Sequence, residues 1–109
     1  MARKESVTKE TILNAAFELL QEEGVTQVTA RKLAAKANCS TQPIFRIYSN
    51  MDELIEELFV KACEFFEAFY EQSDRHTVTP FVQLGNVYIK FAAEHKKLFE
   101  FIFLSPERY

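Results

Sequence analysis

Four side chains that could contact nucleic acid fall close together between residues 41 and 46. If this stretch is helical, Thr41 and Phe45 lie one turn apart, and so do Gln42 and Arg46. Glutamine can form two hydrogen bonds with adenine, and arginine can bind guanine or hold a phosphate group. The spacing therefore predicts one face with the chemistry to read base edges in the major groove of DNA.

The opposite face of the same helix is apolar. Its residues, at the i, i+3, i+4 spacing of a helix, are Ile44, Ile47 and Tyr48. Ser40 is the expected N-cap, and Pro43 would sit in the first turn, where its missing N–H does no harm. Such a pattern is typical of the recognition helix of a helix-turn-helix, but a plain helical hairpin with a polar outer face has the same periodicity. Periodicity alone leaves both interpretations open.

The elements that must position this helix are themselves helical, and the chain has only two Gly and three Pro, so an all-α fold is predicted. The predicted helices are a first from about residues 6–8 to Glu23, a second capped by Thr29, a third capped by Ser40, a fourth from Asn50 to about Ser73, a fifth from Pro80 to about residues 95–97, and a sixth over residues 98–104. Asn38 occupies the turn before the third helix, because asparagine tolerates a left-handed backbone. Thr29 and Arg31, at the start of the second helix, could meet a phosphate backbone.

The composition limits what the chain can be. Its 109 residues suit one compact domain or two small units, and no run approaches the ~20 apolar residues of a membrane span. The polar start gives no sign of a signal peptide, and two separated cysteines, Cys39 and Cys63, are too few for a disulfide scaffold. We therefore expect a cytoplasmic protein.

Charge is distributed unevenly along the chain, whose net charge is −3. Residues 1–50 hold seven Lys/Arg and five Glu, which gives +2, and residues 51–109 hold six Lys/Arg and eleven Asp/Glu, which gives −5. This asymmetry favours a first half that faces DNA and a second half with another role. Solvated helix surfaces would also account for it.

No set of residues in the sequence suggests catalysis or metal binding. His76 and His95 have no Cys, Asp or Glu at convincing ligand spacing, and the paired glutamates lie among other charges, as on solvated helix faces. A glycine-rich phosphate loop and a Ser/His/Asp set are also missing. We expect no enzymatic activity, no metal site and no cofactor.

The second half of the chain carries many aromatic residues on its predicted helices. These residues could simply form a core, or they could line a largely apolar pocket for a small-molecule effector. The candidate pocket residues are Phe66, Tyr70, Gln83, Tyr88, Phe91 and Phe103, with His95 as a further candidate polar group.

The stretch from Thr8 to Leu58 resembles the DNA-binding domain of the tetracycline-repressor (TetR) family of bacterial transcription regulators. The matching segments are "TILNAAFELLQEEGVTQVTARKLAAKANCS" and "IFRIYSNMDEL". They show a first helix ending in Gly, a Thr-capped second helix rich in Ala and Leu, a turn before a capping Ser, an aromatic-rich recognition helix and a fourth helix opening with a small polar residue. The resemblance covers about half of the chain. It implies a ligand-responsive repressor that binds a roughly palindromic double-stranded operator as a homodimer.

Several positions depart from the family's pattern. Asn38 replaces the usual turn Gly, Phe45 replaces a Tyr that often contacts phosphate, and Met51 replaces a Lys that commonly opens the fourth helix. These changes predict weaker contacts with the DNA backbone and more weight on Gln42 and Arg46. The expected DNA-contact residues are Arg3 and Lys4, as an N-terminal arm, and Thr29, Arg31, Ser40, Thr41, Gln42, Pro43, Phe45, Arg46 and Tyr48.

The resemblance also implies how the chain is organised. Residues 1–50 would form the helix-turn-helix domain, a three-helix bundle extended by the start of the fourth helix to about residue 60. Residues 51–109 would form part of a helical effector or oligomerisation domain, since the family's C-terminal domain is longer and includes late helices that pair two subunits. The alternative is an all-α protein–protein interaction module whose helix-turn-helix does not bind DNA.

Overall fold

The computed structural model describes residues 7–73 and 79–104, and most of these residues are helical, with no strand among them. The helices are α1 (Lys9–Glu23), α2 (Ala30–Ala37), α3 (Gln42–Ile47), α4 (Met51–Glu71), α5 (Pro80–Glu94) and α6 (Lys96–Phe99). A 3₁₀ turn, Val25–Gln27, joins α1 to α2, and a π-helical turn, Glu100–Leu104, continues α6. The predicted all-α fold is confirmed: three short helices, a long connecting helix and the start of a further helical layer.

Polar caps at the helix starts agree with the sequence. Thr8 forms a reciprocal capping box with Thr11, since its Oγ1 accepts from the Thr11 N–H at 3.2 Å and its own N–H donates to Thr11 Oγ1 at 3.0 Å. The side chains of Thr29, Asn50 and Thr79 each accept the backbone N–H of the third residue of the following helix. These caps satisfy N–H groups that have no partner within the helix.

Two predicted boundaries are wrong. Thr41, not Ser40, immediately precedes α3, and it has a helical backbone without a capping hydrogen bond. Ser40 lies one residue earlier, where its Oγ accepts from the Gln42 N–H at 3.3 Å, so Pro43 is the second residue of α3. The fifth helix ends at Glu94, because His95 leaves the helical conformation (φ −133°, ψ 61°) and α6 restarts at Lys96.

The core is continuous across the two halves of the chain. Its buried side chains come from α1 to α4 and from α5, α6 and the π-helical turn, and they include Ile12, Leu20, Leu33, Ile44, Leu58, Phe91 and Phe101. Ala62, in the middle of α4, is fully buried. The rings of Phe17 and Phe65 lie 5.5 Å apart, and those of Phe59 and Phe101 lie 5.7 Å apart. One face of α4 thus packs on α1 and another on the C-terminal turn, as its broad apolar face predicts.

Candidate nucleic-acid interface

The turn between α2 and α3 fixes how the two helices meet. Asn38 adopts the left-handed conformation expected of it, with φ 63° and ψ 46°. Its N–H donates to the Ala35 carbonyl at 3.2 Å, and the Cys39 N–H donates to the Ala34 carbonyl at 2.9 Å. These bonds close the end of α2 and send the chain into α3 within a few residues. The arrangement is a helix-turn-helix.

The two faces of α3 divide as the spacing predicts. Ile44 is fully buried and Ile47 is half-buried, so the apolar side packs on the core. Thr41, Gln42 and Arg46 are exposed on the other side. The ring of Phe45 is 47% exposed on that same side, although it is a large apolar group. A short helix is therefore held by its back and presents an amide, a guanidinium and an aromatic ring to solvent.

The charge of this region is entirely positive. Between Glu23 and Asp52 the sequence holds no Asp or Glu, while it holds Arg31, Lys32, Lys36 and Arg46. Two of these cations are engaged with α1, since Lys32 pairs with Glu23 and Lys36 pairs with Glu22 at 2.7 Å. The hydrogen bond to Glu22 raises the pKa of Lys36. Within the described residues, the exposed guanidinium groups of Arg31 and Arg46 have no acidic partner.

The remaining predicted contact residues are placed as follows. Thr29 caps α2 by accepting from the Lys32 N–H at 3.2 Å, and its hydroxyl proton is still available to an external acceptor. Ser40 is exposed, and Pro43 is half-buried. Arg3 and Lys4 lie outside the described residues.

Tyr48 does not lie on this exposed face. Its side chain is only 2% exposed, and its hydroxyl donates to Glu57 Oε1 at 2.9 Å. Glu57 Oε2 accepts from Lys9 Nζ at 3.0 Å, and Lys9 Nζ lies 5.5 Å from the centre of the Tyr48 ring. Burial and this carboxylate raise the pKa of Tyr48, and the bonds from Lys9 and Tyr48 lower the pKa of Glu57. Tyr48 therefore belongs to the core, as its helical spacing predicts, and we leave it out of the contact set.

Sequence reasoning did not identify the Lys9–Glu57–Tyr48 network. The three residues are separated by 9 to 48 positions, and they meet only because α1, α4 and the end of α3 pack together. Nothing in the spacing of Glu57 distinguishes it from the other glutamates of α4.

Four of the residues predicted to line an effector pocket form one aromatic cluster. The ring of Phe66 lies 4.9 Å from that of Phe91 and 5.4 Å from that of Phe103, and Tyr88 lies 4.9 Å from Phe103. Phe91 is fully buried, so it acts as a core residue. The His95 ring also packs against Phe91, at 5.3 Å. These residues therefore contact one another directly, ring against ring.

The other two predicted pocket residues lie differently. Gln83 is 4% exposed, and its Nε2 donates to Ser73 Oγ at 2.7 Å, so this amide joins the start of α5 to the end of α4. Tyr70 lines an open depression of about 680 Å³ together with Phe66 and Leu84. The other residues around that depression are Glu64, Glu67, Ala68 and Glu71. The predicted pocket residues therefore do not surround a single space.

Two further features are absent from the described parts of the chain. Over residues 7–73 and 79–104, no group of three or more His, Cys, Asp or Glu side chains could hold a metal ion. In the same ranges, no helix combines the length and the apolar character needed to cross a membrane.

The helix-turn-helix of this chain packs on a first helix and is followed by a long fourth helix. This arrangement places the chain among the helix-turn-helix proteins. Comparison with known proteins shows which family this part of the chain is similar to. Residues 12–58 match the sequence model described as "Bacterial regulatory proteins, tetR family". Over these residues the chain is similar to the tetR family of bacterial regulatory proteins, the family that its sequence resembles.

Two relatives agree with this assignment. The uncharacterized HTH-type transcriptional regulator YvkB of Bacillus subtilis is 27% identical over 99 residues, a match that covers 91% of this chain and 52% of that protein. The crystal structure of the TetR-family transcriptional regulator HI0893 of Haemophilus influenzae superposes with a TM-score of 0.57 and 27% identity, covering 92% of this chain and 59% of that one. This chain therefore spans between half and three fifths of the length of these relatives. Both are named as transcriptional regulators.

Proposed function

We propose that this chain is the DNA-reading part of a transcriptional regulator that binds a specific operator through α3. The observation that carries the proposal is the exposed face of α3, where Gln42 and Arg46 stand one turn apart in a segment without acidic residues. An α-helix fits the major groove, and a glutamine in its first turn can reach base edges. The match of residues 12–58 to the tetR family and the names of the two relatives support the same conclusion.

Each exposed residue of the interface has a role in this proposal. Gln42 reads a base, while Arg46 binds a phosphate group or a guanine. Thr29 and Arg31, at the positive end of α2, hold the phosphate backbone. The residues expected to flank these contacts are Ser40, Thr41, Pro43 and Phe45, and Arg3 and Lys4 would add an N-terminal arm.

The full-length regulator, in this proposal, works as a homodimer in the cytoplasm. A two-fold dimer matches a roughly palindromic operator, whose half-sites lie about one or more helical turns apart. The second unit, residues 51–109, is then part of an effector and oligomerisation domain. Its exposed apolar side chains on α5, Phe81 (85% exposed), Leu84 and Ile89, support a surface that is covered in the assembled protein. A small-molecule effector that moves α4 would release the operator, which makes the protein a repressor.

The second candidate function is a protein–protein interaction module. The same exposed apolar side chains of α5 favour it, because a partner protein could cover them without any DNA contact. The two candidates differ in what α3 does. The regulator needs Gln42 and Arg46 at an interface, whereas the interaction module does not.

Selection from a random-sequence duplex library distinguishes the two candidates. The regulator should enrich a related set of duplexes, and its affinity for them should fall as salt rises, because binding releases counterions from the phosphates. The slope should be shallower than for a relative that keeps Lys at the start of α4 and Tyr in α3. A Gln42→Ala/Arg46→Ala double variant, unchanged in fold, is the matched control and should enrich nothing. Absence of enrichment by the parent protein, or an affinity that ignores salt, would favour the interaction module.

A further inference from the structure

The end of α3 is held by two successive turns of α4. Glu53 Oε1 accepts from the Ser49 N–H at 3.0 Å, and Glu57 Oε1 accepts from the Tyr48 hydroxyl at 2.9 Å. Tyr48 itself ends α3, since its N–H donates to the Ile44 carbonyl at 2.8 Å. Both carboxylates therefore bond the two residues through which the chain leaves the recognition helix.

Glu57 differs from Glu53 because it also reaches α1. Its second oxygen, Oε2, accepts from Lys9 Nζ at 3.0 Å, and that ammonium group lies on the Tyr48 ring. One carboxylate thus joins the first turn of α1, the second turn of α4 and the residue that follows α3.

We propose that Glu57 is a positioning residue: its carboxylate fixes the orientation of the recognition helix through Tyr48 and locks that orientation to α1 through Lys9. The contacts of Glu57 with Tyr48 and Lys9, which we call the tether, are a property of the free protein. Only the expected effect on DNA affinity rests on the proposed function.

The two bonds of Glu57 are unequal. The pair with Lys9 is exposed, with 55% and 40% of the two side chains accessible, and exposed pairs of this kind stabilise little. The hydroxyl of Tyr48 is buried and bonds an ionised acceptor, which makes a stronger hydrogen bond. Removing the carboxylate would leave a buried hydroxyl without its partner, and the end of α3 would shift to satisfy it. The orientation of α3 should therefore depend on Glu57 more through Tyr48 than through Lys9.

Four variants isolate the tether. Glu57→Ala removes both bonds, Glu57→Gln keeps an oxygen acceptor for Tyr48 without the charge that pairs with Lys9, and Tyr48→Phe removes only the hydroxyl. Glu56→Ala is the matched control, because it removes the same charge from an exposed neighbouring position of α4.

The first measurement is amide hydrogen exchange of residues 45–48 in the DNA-free protein. Glu57→Ala and Tyr48→Phe should each exchange on the order of tenfold faster there, the effect of one lost hydrogen bond to a charged group. Combining them should add little, because both remove the same contact. Glu57→Gln should restore most of the protection. Equal exchange in Glu57→Ala and Glu56→Ala would overturn the proposal, and if Glu57→Ala does not fold, Tyr48→Phe alone decides, since it keeps the ring in place.

The second measurement is affinity for a duplex selected by the parent protein and for an unrelated duplex. Glu57→Ala should lose about tenfold on the selected duplex and little on the unrelated one, whereas Glu56→Ala should change both alike. A merely structural loss of stability would not alter the ratio between the two duplexes. If the parent protein selects no duplex, the proposed function fails, and the exchange result still decides on the tether. If a duplex is selected but the ratio is unchanged in Glu57→Ala, the tether does not position α3.

Discussion

The side chain of Lys97, near the start of α6, lies against Gly24, the residue that follows α1. A Cβ added to Gly24 would stand 3.6 Å from Lys97 Cδ, an ordinary contact distance. The C-terminal helices therefore contact the residue that follows α1, in the half of the chain that holds the helix-turn-helix. Because space is not limiting at this point, the requirement for glycine must come from the backbone, whose φ is 93°.

Replacement of Gly24 by alanine should destabilise the protein by about 1–3 kcal/mol, since a side chain at this φ and ψ is strained. The matched control is Gly85→Ala on the exposed side of α5, where an added Cβ meets nothing within 4 Å. That change should stabilise by about 0.5–1 kcal/mol, because alanine is the better helix former. Urea unfolding of both variants tests this, and a Gly24→Ala protein as stable as the parent would show that the strain is absent.

Asn38 should tolerate glycine but not alanine. Its left-handed backbone costs glycine nothing, whereas alanine pays about 1–2 kcal/mol in that conformation. Asn38→Gly should therefore match or exceed the stability of the parent, and Asn38→Ala should fall below it. Thermal unfolding of the pair is the appropriate measurement. Equal losses in the two variants would mean that the asparagine side chain, and not the backbone, matters in this turn.

Ala62 should couple the two layers that meet on α4. It is fully buried in the middle of the helix that contacts both layers, so Ala62→Leu should overpack the core at a cost of about 1–3 kcal/mol. Because α4 also carries the residues that bond the end of α3, the same variant should change affinity for the selected duplex without touching DNA. Ala68→Leu, on an exposed part of the same helix, is the control. Unchanged duplex binding by a folded Ala62→Leu protein would contradict the coupling.

The stability contributed by Glu57 should disappear at acidic pH. Its pKa is lowered in the folded protein by the bonds from Lys9 and Tyr48, so folding favours the ionised form. The contribution is therefore present above the unfolded pKa of about 4.3 and is lost as the pH falls through the lower folded value. In urea titrations, Glu57→Gln should be less stable than the parent at pH 7, and the gap should close as the pH falls below the unfolded value of about 4.3. A gap that stays constant across this range would mean that ionisation of Glu57 does not matter.

The sequence was sufficient to predict the helices and the bend because their determinants are local. Each of these features depends on neighbours within about one turn of helix. They are the capping threonines, the left-handed backbone of Asn38 and the alternation of buried and exposed positions in α3. The sequence could not distinguish Ser40 from Thr41 as the residue before α3, because both are acceptable caps. It also could not show that Tyr48 would be buried against Glu57, since that contact depends on how α1, α3 and α4 pack together. The sequence also could not show how the predicted pocket residues are arranged, because their arrangement likewise depends on how the helices pack together.

The assignment of the reading face is tested most directly by the base preference of Gln42. Binding of the parent, Gln42→Ala and Arg46→Ala proteins is titrated against single-base variants of the selected duplex at two salt concentrations. Gln42→Ala should cost about 1–3 kcal/mol on the best duplex and relax the preference at one base pair per half-site. Arg46→Ala, if its contact is to phosphate, should weaken binding to all variants alike and reduce the salt slope by about one unit. A Gln42→Ala protein with the same base profile as the parent would contradict the assignment of the exposed face of α3 as the surface that reads DNA.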